Sequence, residues 1–451
     1  MSENVDVVVI GMGPGGEVVA GELAKANRRV VVIERELIGG ECAYYACIPS
    51  KVVLRAPALG QEVDHAAGIT DARLSWEKTR TYRDQMARHW DDSTQVDSYE
   101  GQGVTVVKGE GRIVKPGVVA VGGREFVADH IVIATGTQAH IPAVDGLDTV
   151  PVWTTRELYT AQDLPDSAVI VGGSAVAVEA ATFLARFGVN VTVVHRGSRI
   201  LSREEPQVSD LVGRHLEEAG VEVKVNVEPA AVERSDTGRS VIHLNDGTAL
   251  HTDVIVFATG RTPRTGTLGA DTAGVTLGDR GQILVDDQCH AAPGVWAVGD
   301  VTGIMPYTHV AKYQGRIVAD AILGRPRRAT YTAIPRVVFG DPEIAAVGLT
   351  AQQARDQGIN SVENALDLTE ALAKPWLDAQ TPHGVLGVVA DADNRVLVGA
   401  WAVGLHASEW IHWAAFAIRT RTPVDVLLDQ VVQFPTYHEA YLSVIGGLDL
   451  R

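Results

Sequence analysis

The chain has 451 residues, of which 46% are hydrophobic and 21% charged, and a formal net charge of −17. Its length predicts roughly two to four domains, and its negative charge argues against nucleic acid or an anionic membrane as a partner. No apolar run reaches the roughly 18 residues of a membrane-spanning helix, and the first predicted strand begins near Val5. We therefore expect a cytoplasmic protein without a signal peptide.

The first predicted unit is a strand, a glycine-rich turn, a helix and a second strand. The apolar run Val5 to Ile10 ends at Gly11, and Gly13 and Gly16 follow. These glycines permit a tight turn, close approach of a pyrophosphate and close helix packing, in that order. Glu34 ends the second strand, 18 residues after Gly16, where a carboxylate can bind a ribose. The unit predicts a dinucleotide site.

A pair of cysteines, Cys42 and Cys47, follows this unit. Three cysteines in a long chain are too few for a structural disulfide framework, and a zinc site would need more ligands. We interpret the third, Cys289, as a small residue in a strand or turn. The placement of the pair predicts electron transfer from a flavin to a disulfide.

Cys47 and Lys51 are four residues apart and would share one face of a helix that starts here. The helix N-terminus and the ammonium group would stabilise a thiolate at Cys47. On a regular helix the two cysteines would be about 7.5 Å apart along the axis, beyond disulfide reach. We therefore expect an irregular helix around Ala43 to Ala46. The stretch Ser75 to Tyr99 predicts one long helix.

The glycine pattern recurs 161 residues later, after the strand Ala168 to Val171. Gly172, Ser174 and Ala177 take the three glycine positions, and His195 takes the position of the acid. The chain therefore contains an internal duplication with two dinucleotide sites.

The second site ends in cations rather than a carboxylate, because Arg196 and Arg199 follow His195. Cations there would pair with a 2′-phosphate, so NADPH is favoured over NADH. A solvated basic loop is the alternative. Further apolar strands end at Thr135 and Gly136, at Gly260 and Arg261, and at Gly299 and Asp300.

With these motifs the chain resembles the class I pyridine nucleotide-disulfide oxidoreductases, the family of glutathione reductase, dihydrolipoamide dehydrogenase and mercuric reductase. The resemblance extends from Val5 to about Ser443. It implies an α/β fold with two Rossmann-like dinucleotide-binding domains and a C-terminal α+β dimerisation domain. The expected bounds are 1–152 with 285–330 for FAD, 153–284 for the nicotinamide nucleotide, and 331–451 for a homodimer interface that completes each active site from the other subunit.

The resemblance also implies roles for individual residues. Cys47 would be the thiol beside the flavin, Cys42 the thiol that exchanges with substrate, and Lys51, paired with Glu179, would lie near the flavin N5. His309 would fall near the flavin ring, although a histidine bonded to backbone at a helix start is equally consistent. The expected cofactor contacts are Gly11, Gly13, Gly16, Glu34, Gly40, Lys51, Thr135, Gly136, Gly299, Asp300 and His309 for FAD, and Gly172, Ser174, Ala177, His195, Arg196, Arg199, Gly260 and Arg261 around the second nucleotide.

The chain departs from the family pattern most strongly near its C-terminus. Where the family has a histidine that acts as acid and base, this chain has Phe434, although the partner carboxylate Glu439 is retained. His438 could substitute as a base, or could be a surface or packed histidine. Around the first cysteine, Glu41, Tyr44 and Ala46 stand where the family usually has Thr, Asn and Gly.

We therefore expect an FAD enzyme that passes electrons from NADPH through the cysteine pair to an unusual disulfide or another small acceptor. Without the acid, exchange with ordinary aliphatic disulfides should be slow. The alternatives are a quinone or metal-ion reductase that uses flavin directly, a ketopropyl coenzyme M carboxylase-like enzyme, and a non-catalytic dimeric flavoprotein. We expect no resident metal, nucleic acid or membrane partner.

Overall fold

The structure is a computed structural model that describes residues 2–69 and 73–450. None of the helices in these two ranges is both long and apolar enough to cross a membrane. The strands are β1 (Ser2–Ile10), β2 (Val30–Glu34), β3 (Thr105–Lys108), β4 (Arg112–Lys115), β5 (Val118–Val121), β6 (Arg124–Ile133), β7 (Thr137–Ala139), β8 (Val152–Trp153), β9 (Ser167–Val171), β10 (Asn190–His195), β11 (Glu222–Val225), β12 (Pro229–Arg234), β13 (Ser240–Leu244), β14 (Ala249–Thr252), β15 (Val254–Phe257), β16 (Arg261–Pro263), β17 (His290–Ala292), β18 (Val295–Ala297), β19 (Arg336–Val338), β20 (Glu343–Gly348), β21 (Ser361–Asp367), β22 (Gly384–Asp391) and β23 (Val396–Gly404). The α-helices are α1 (Pro14–Lys25), α2 (Gly40–Tyr44), α3 (Cys47–His65), α4 (Trp76–Met86), α5 (Ser93–Gly101), α6 (Thr155–Thr160), α7 (Ala175–Arg186), α8 (Pro206–Glu218), α9 (Thr308–Ile322), α10 (Ala351–Asp356), α11 (Leu368–Ala371), α12 (Lys374–Asp378), α13 (Ala407–Thr420), α14 (Val424–Leu428) and α15 (Glu439–Gly446).

The first sheet is parallel over β18, β6, β1, β2 and β3, in that spatial order. β17 and the β4–β5 hairpin join it by antiparallel pairing. The turn from β1 to α1 passes through Gly11, whose φ is +96° and whose Cβ, if it had one, would lie 2.4 Å from the Ala134 carbonyl oxygen. Only glycine fits at this position. The order β1, α1, β2 confirms the predicted strand, turn, helix and strand.

A second parallel sheet repeats this arrangement, with the order β11, β10, β9, β15, β8. β9 leads into α7 through Gly172, which has a φ of +135°, and a Cβ there would lie 2.4 Å from the Ala258 carbonyl oxygen. The predicted internal duplication is therefore confirmed. A separate antiparallel sheet is formed by β12, β13 and β14.

The third large sheet is antiparallel and comes from the C-terminal part of the chain, in the order β19, β20, β23, β22, β21. Buried aromatic and aliphatic side chains of α13 and α15, including Trp410 and Tyr441, pack in one core with Leu386 of β22. The sheet and its helices form the predicted C-terminal α+β region, so the predicted fold class is confirmed.

The chain divides into two compact units. The first comprises Met1–Ser50, Thr81–His140 and Gly260–Thr330, and the second comprises Lys51–Arg80, Ile141–Thr259 and Tyr331–Arg451. The three-domain bounds given above remain a prediction.

The predicted long helix over Ser75 to Tyr99 is wrong. The segment forms α4 and α5, separated by a left-handed turn at Arg88, His89 and Trp90, whose φ angles are 53°, 50° and 57°. Residues with a Cβ rarely adopt this conformation in succession, and no glycine in the sequence marks the break.

Candidate active site

The two cysteines lie on consecutive short helical segments. Cys42 belongs to α2, and Cys47 is the first residue of α3, so the regular helix is interrupted at Tyr45 and Ala46. The predicted irregularity is confirmed. Both side chains are half-buried thiols, and Cys42 shares a hydrogen bond with Cys47. This hydrogen bond, together with burial, raises the pKa of the Cys42 thiol.

A threonine hydroxyl lies between the two sulfur atoms. Thr308, the first residue of α9, donates a hydrogen bond from Oγ1 to Cys42 Sγ at 3.1 Å, and the same oxygen lies 3.3 Å from Cys47 Sγ. Sequence reasoning missed Thr308 and named its neighbour His309, whose ring stacks on Tyr307 with a centroid distance of 5.3 Å. The signal that could have found Thr308 is its hydroxyl at the start of a helix, where N–H groups favour negative charge.

Lys51 forms the predicted ion pair with Glu179. Its Nζ lies 3.0 Å and 2.8 Å from the two carboxylate oxygens. The Glu179 side chain is only 7% exposed and also accepts a hydrogen bond from the backbone N–H of Phe339 at 3.0 Å. The ammonium group lies 4.8 Å from the centroid of the Phe339 ring. Three contacts thus fix a cation on α3, one helical turn after Cys47.

The first glycine turn fits a dinucleotide. A Cβ on Gly13 would have no neighbour within 4 Å, so its surface is open, whereas Gly40 packs so closely that a Cβ there would lie 2.9 Å from Gly13 Cα. The buried Thr135 Oγ1 has no hydrogen-bond partner among the described residues. A bound FAD could approach the open backbone at Gly13 with its pyrophosphate and could give the Thr135 hydroxyl a hydrogen-bond partner.

Two largely buried carboxylates, Glu34 and Asp300, lie in the same compact unit as the first glycine turn. Glu34 ends β2 and accepts hydrogen bonds from the backbone N–H groups of Met12 and Glu36, each at 2.7 Å, and burial raises its pKa. Burial likewise raises the pKa of Asp300, which accepts a hydrogen bond from Thr137 Oγ1 at 3.1 Å. A carboxylate oxygen has two lone pairs, so both groups can still accept from ribose and ribityl hydroxyls. When bound, FAD would supply transfer of an electron pair between the nicotinamide and the disulfide.

An ion triad joins α2 to the segment around β16 in the same unit. Glu41 forms ion pairs with Arg261 and with Arg264, the latter at 2.8 Å. Arg261 also donates to the hydroxyl and carbonyl oxygens of Thr137, at 2.6 Å and 2.9 Å. The sequence indicated Arg261 as a nucleotide contact and Glu41 as a departure from the family pattern, but it did not pair them or identify Arg264.

The second glycine turn accommodates its serine without crowding. The Ser174 hydroxyl donates to the Ala258 carbonyl oxygen at 3.1 Å, while Ala177 is fully buried. A Cβ on Gly260 would have no neighbour within 4 Å.

The three basic residues after β10 are placed differently from one another. The His195 ring lies against Gly173 and Gly197, where an added Cβ would approach it to 2.7 Å, and burial lowers its pKa. Arg199 donates hydrogen bonds to the carbonyl oxygens of residues 202 and 204 and to a serine hydroxyl at 209. Arg196 is exposed. Of the three, Arg196 is therefore best placed to bind a phosphate.

Phe434 lies in the C-terminal part of the second unit, with 64% of its surface exposed. Glu439, at the start of α15, accepts a hydrogen bond from the Thr436 backbone N–H at 3.0 Å. His438 precedes it and is half-buried, and burial lowers its pKa. The loop therefore presents an exposed apolar ring at Phe434.

Comparisons with known proteins agree with this geometry. The pattern of the family described as "Pyridine nucleotide-disulphide oxidoreductase" matches residues 5–315, and that of its dimerisation domain matches 334–444. A mercuric reductase from Acidithiobacillus ferrooxidans is 31% identical over 99% of this chain and 82% of its own length, and a dihydrolipoyl dehydrogenase from Geobacillus stearothermophilus is 29% identical over 96% and 94%. The structure described as the Cu(II) complex of HOCl-induced flavoprotein disulfide reductase RclA from Escherichia coli superposes with a TM-score of 0.89 at 26% identity, covering 98% of this chain and 99% of that one.

Proposed function

Because the chain belongs to the pyridine nucleotide-disulphide oxidoreductase family of flavin enzymes, we propose that it carries electrons from NADPH through FAD to the Cys42–Cys47 pair and on to a small acceptor. The observation that carries this proposal is that the two thiols contact each other and that the Thr308 hydroxyl oxygen lies 3.1 Å and 3.3 Å from their sulfur atoms. A disulfide at this position would take two electrons and two protons to give the dithiol, and the dithiol would return them to the acceptor.

The proposed nucleotide is NADPH rather than NADH. Arg196 is exposed at the end of β10, where a carboxylate would bind the 2′-hydroxyl of NADH. A guanidinium pairs instead with a 2′-phosphate. On either side of Arg196, His195 packs against Gly173 and Gly197, and Arg199 forms hydrogen bonds within the loop.

We propose an acceptor whose reduction does not require the enzyme to protonate a leaving thiolate. Phe434 cannot transfer a proton, and general acid–base catalysis contributes about 10² to 10⁴-fold when it is present. A disulfide with an acidic leaving thiol or an oxidised metal ion meets this requirement. A mercuric reductase and a structure described as a Cu(II) complex are among the proteins that this chain resembles, which favours a metal ion as the second candidate.

We further propose a cytoplasmic homodimer with shared active sites. The C-terminal region matches a dimerisation domain, and it carries several large apolar side chains on its surface. These are Trp376, Leu377, Phe416, Val426, Leu428, Val431 and Phe434.

The proposal is tested by measuring NADPH oxidation by the FAD-loaded protein with disulfides, quinones, Cu(II) and Hg(II), for the unaltered chain and for Cys42→Ala. We expect at least one disulfide or metal acceptor, and a loss of about 10²-fold or more for Cys42→Ala. If turnover survives in Cys42→Ala, electrons leave directly from the flavin and the dithiol route is wrong.

A further inference from the structure

The left-handed turn between α4 and α5 is the most unusual backbone segment near the cysteines. Arg88, His89 and Trp90 all have φ between 50° and 57°, and none is a glycine. Backbone hydrogen bonds from Trp90 to Ala87 (2.9 Å) and from Asp91 to Arg88 (3.0 Å) close the turn. Such conformations are costly for residues with a Cβ and persist where surrounding contacts hold them.

This turn places the Trp90 indole against the end of α2. The indole Nε1 donates a hydrogen bond to the Tyr44 carbonyl oxygen at 3.1 Å. That carbonyl belongs to the last turn of α2, where carbonyl groups have no partner within the helix. Arg88 reaches the same residue, since its Nη1 lies 3.4 Å from the Tyr44 hydroxyl and its guanidinium lies 5.9 Å from the ring centroid.

α2 needs such support, because it has only five residues and a single helical turn is not stable by itself. Its first turn is held by the ion pairs of Glu41 with Arg261 and Arg264. Its last turn is held by Trp90. The two residues after it, Tyr45 and Ala46, are outside regular structure and lead directly to Cys47.

We propose that Trp90 is a positioning residue for the redox pair: its hydrogen bond to the Tyr44 carbonyl fixes the end of α2 and thereby keeps Cys42 within bonding distance of Cys47. The inference rests on the proposed function of the two thiols as a reversible couple. A fixed α2 raises the effective concentration of one thiol relative to the other and so favours the disulfide. Loosening α2 therefore makes the couple easier to reduce.

The direct test is Trp90→Phe in the FAD-loaded protein, which removes the donor and keeps an aromatic ring. The protein is equilibrated with oxidised and reduced dithiothreitol, and the fraction of dithiol is counted by alkylation and mass spectrometry. We expect the dithiol to be favoured about tenfold more than in the unaltered protein, which is about 30 mV toward a more positive potential. The matched control is Trp296→Phe, which loses a similar indole contact, to His130 at 3.4 Å in the same unit; it should leave the couple unchanged.

A second pair of variants tests the backbone without touching the indole. His89 is exposed at the centre of the turn, so its side chain can be changed with little effect on packing. Valine strongly disfavours a φ of 50°, whereas glycine adopts it readily. We expect His89→Val to shift the potential in the same direction as Trp90→Phe, and His89→Gly to leave it unchanged.

The possible results separate this inference from the proposed function. A dithiol couple that responds to Trp90→Phe and His89→Val, but not to the two controls, supports the inference. If the dithiol couple is reversible but neither variant shifts its potential, or both shift it toward negative values, the role of Trp90 is contradicted and the proposed function is not. If the unaltered protein shows no reversible dithiol couple, the proposed function is wrong and the inference with it.

Discussion

At the scale of single residues, the proposed function combines the cysteine pair, as the electron-transfer groups, with a phenylalanine at the position proposed for the proton donor. The Thr308 hydroxyl lies close to the sulfur atoms of Cys42 and Cys47, and Lys51 is paired with Glu179. Phe434, which we propose stands in place of the family's acid and base, is exposed. This combination predicts that proton transfer to the departing thiolate, rather than electron transfer, limits reactions with ordinary disulfides.

Phe434→His should therefore raise turnover with an aliphatic disulfide such as glutathione disulfide by about 10²-fold, because it restores a proton donor beside Glu439. Steady-state NADPH oxidation measures the effect. Phe434→Gln is the control, since it adds polarity without a titratable group and should give little gain. An equal gain in both variants, or none in either, would contradict the role assigned to Phe434.

Motifs and the family resemblance named most residues of the candidate site, but not Thr308 and Arg264. The pairing of Lys51 with Glu179 was implied by the family resemblance, and the structure shows this ion pair, with Glu179 on helix α7. Thr308 and Arg264 were missed, because their partners are 266 and 223 residues away along the chain. No local pattern reports such contacts.

At the scale of secondary-structure elements, three segments converge on the thiols: α2, the start of α3 and the start of α9. The duplicated strands and helices were predictable because their glycine turns permit only one residue type. The break between α4 and α5 was not, because tertiary contacts stabilise a left-handed turn that the local sequence does not favour.

The start of α9 should stabilise a thiolate through Thr308. Thr308→Val removes the hydroxyl that lies 3.1 Å and 3.3 Å from the two sulfur atoms and keeps the side-chain volume. A hydrogen bond to a charged group contributes about 1.5–3 kcal/mol, so the thiolate should form at a pH about one unit or more higher. The long-wavelength thiolate-to-flavin absorption of the two-electron-reduced enzyme, followed against pH, measures this. Thr308→Ser should behave like the unaltered protein; an unchanged titration in Thr308→Val would exclude the hydroxyl.

At the scale of the whole molecule, two largely parallel sheets, an antiparallel C-terminal sheet and two smaller sheets contain the strands of residues 2–69 and 73–450. The two parallel sheets could be predicted from their strands and glycine turns, whereas the C-terminal α+β region was implied by the family resemblance. The grouping of segments into two compact units depends on packing between distant segments, which no motif records.

A shared active site requires that the exposed apolar surface of the C-terminal region be covered by a second copy. Val431 is fully exposed in the single chain, so Val431→Asp should weaken the dimer by at least about tenfold through an unpaired buried charge. Sedimentation velocity measures the association state. Leu284→Asp, at an exposed leucine of the first unit, is the control. A Val431→Asp protein that stays as dimeric as the control would contradict this interface.

The central claim is that the two sulfur atoms and the flavin exchange electrons, and anaerobic titration of the FAD-loaded protein with NADPH tests it most directly. The account predicts that the protein takes up one electron pair per FAD before the flavin bleaches, with a long-wavelength absorption that disappears in Cys47→Ser. Immediate bleaching of the flavin without that absorption, identical in the unaltered protein and in Cys47→Ser, would contradict it.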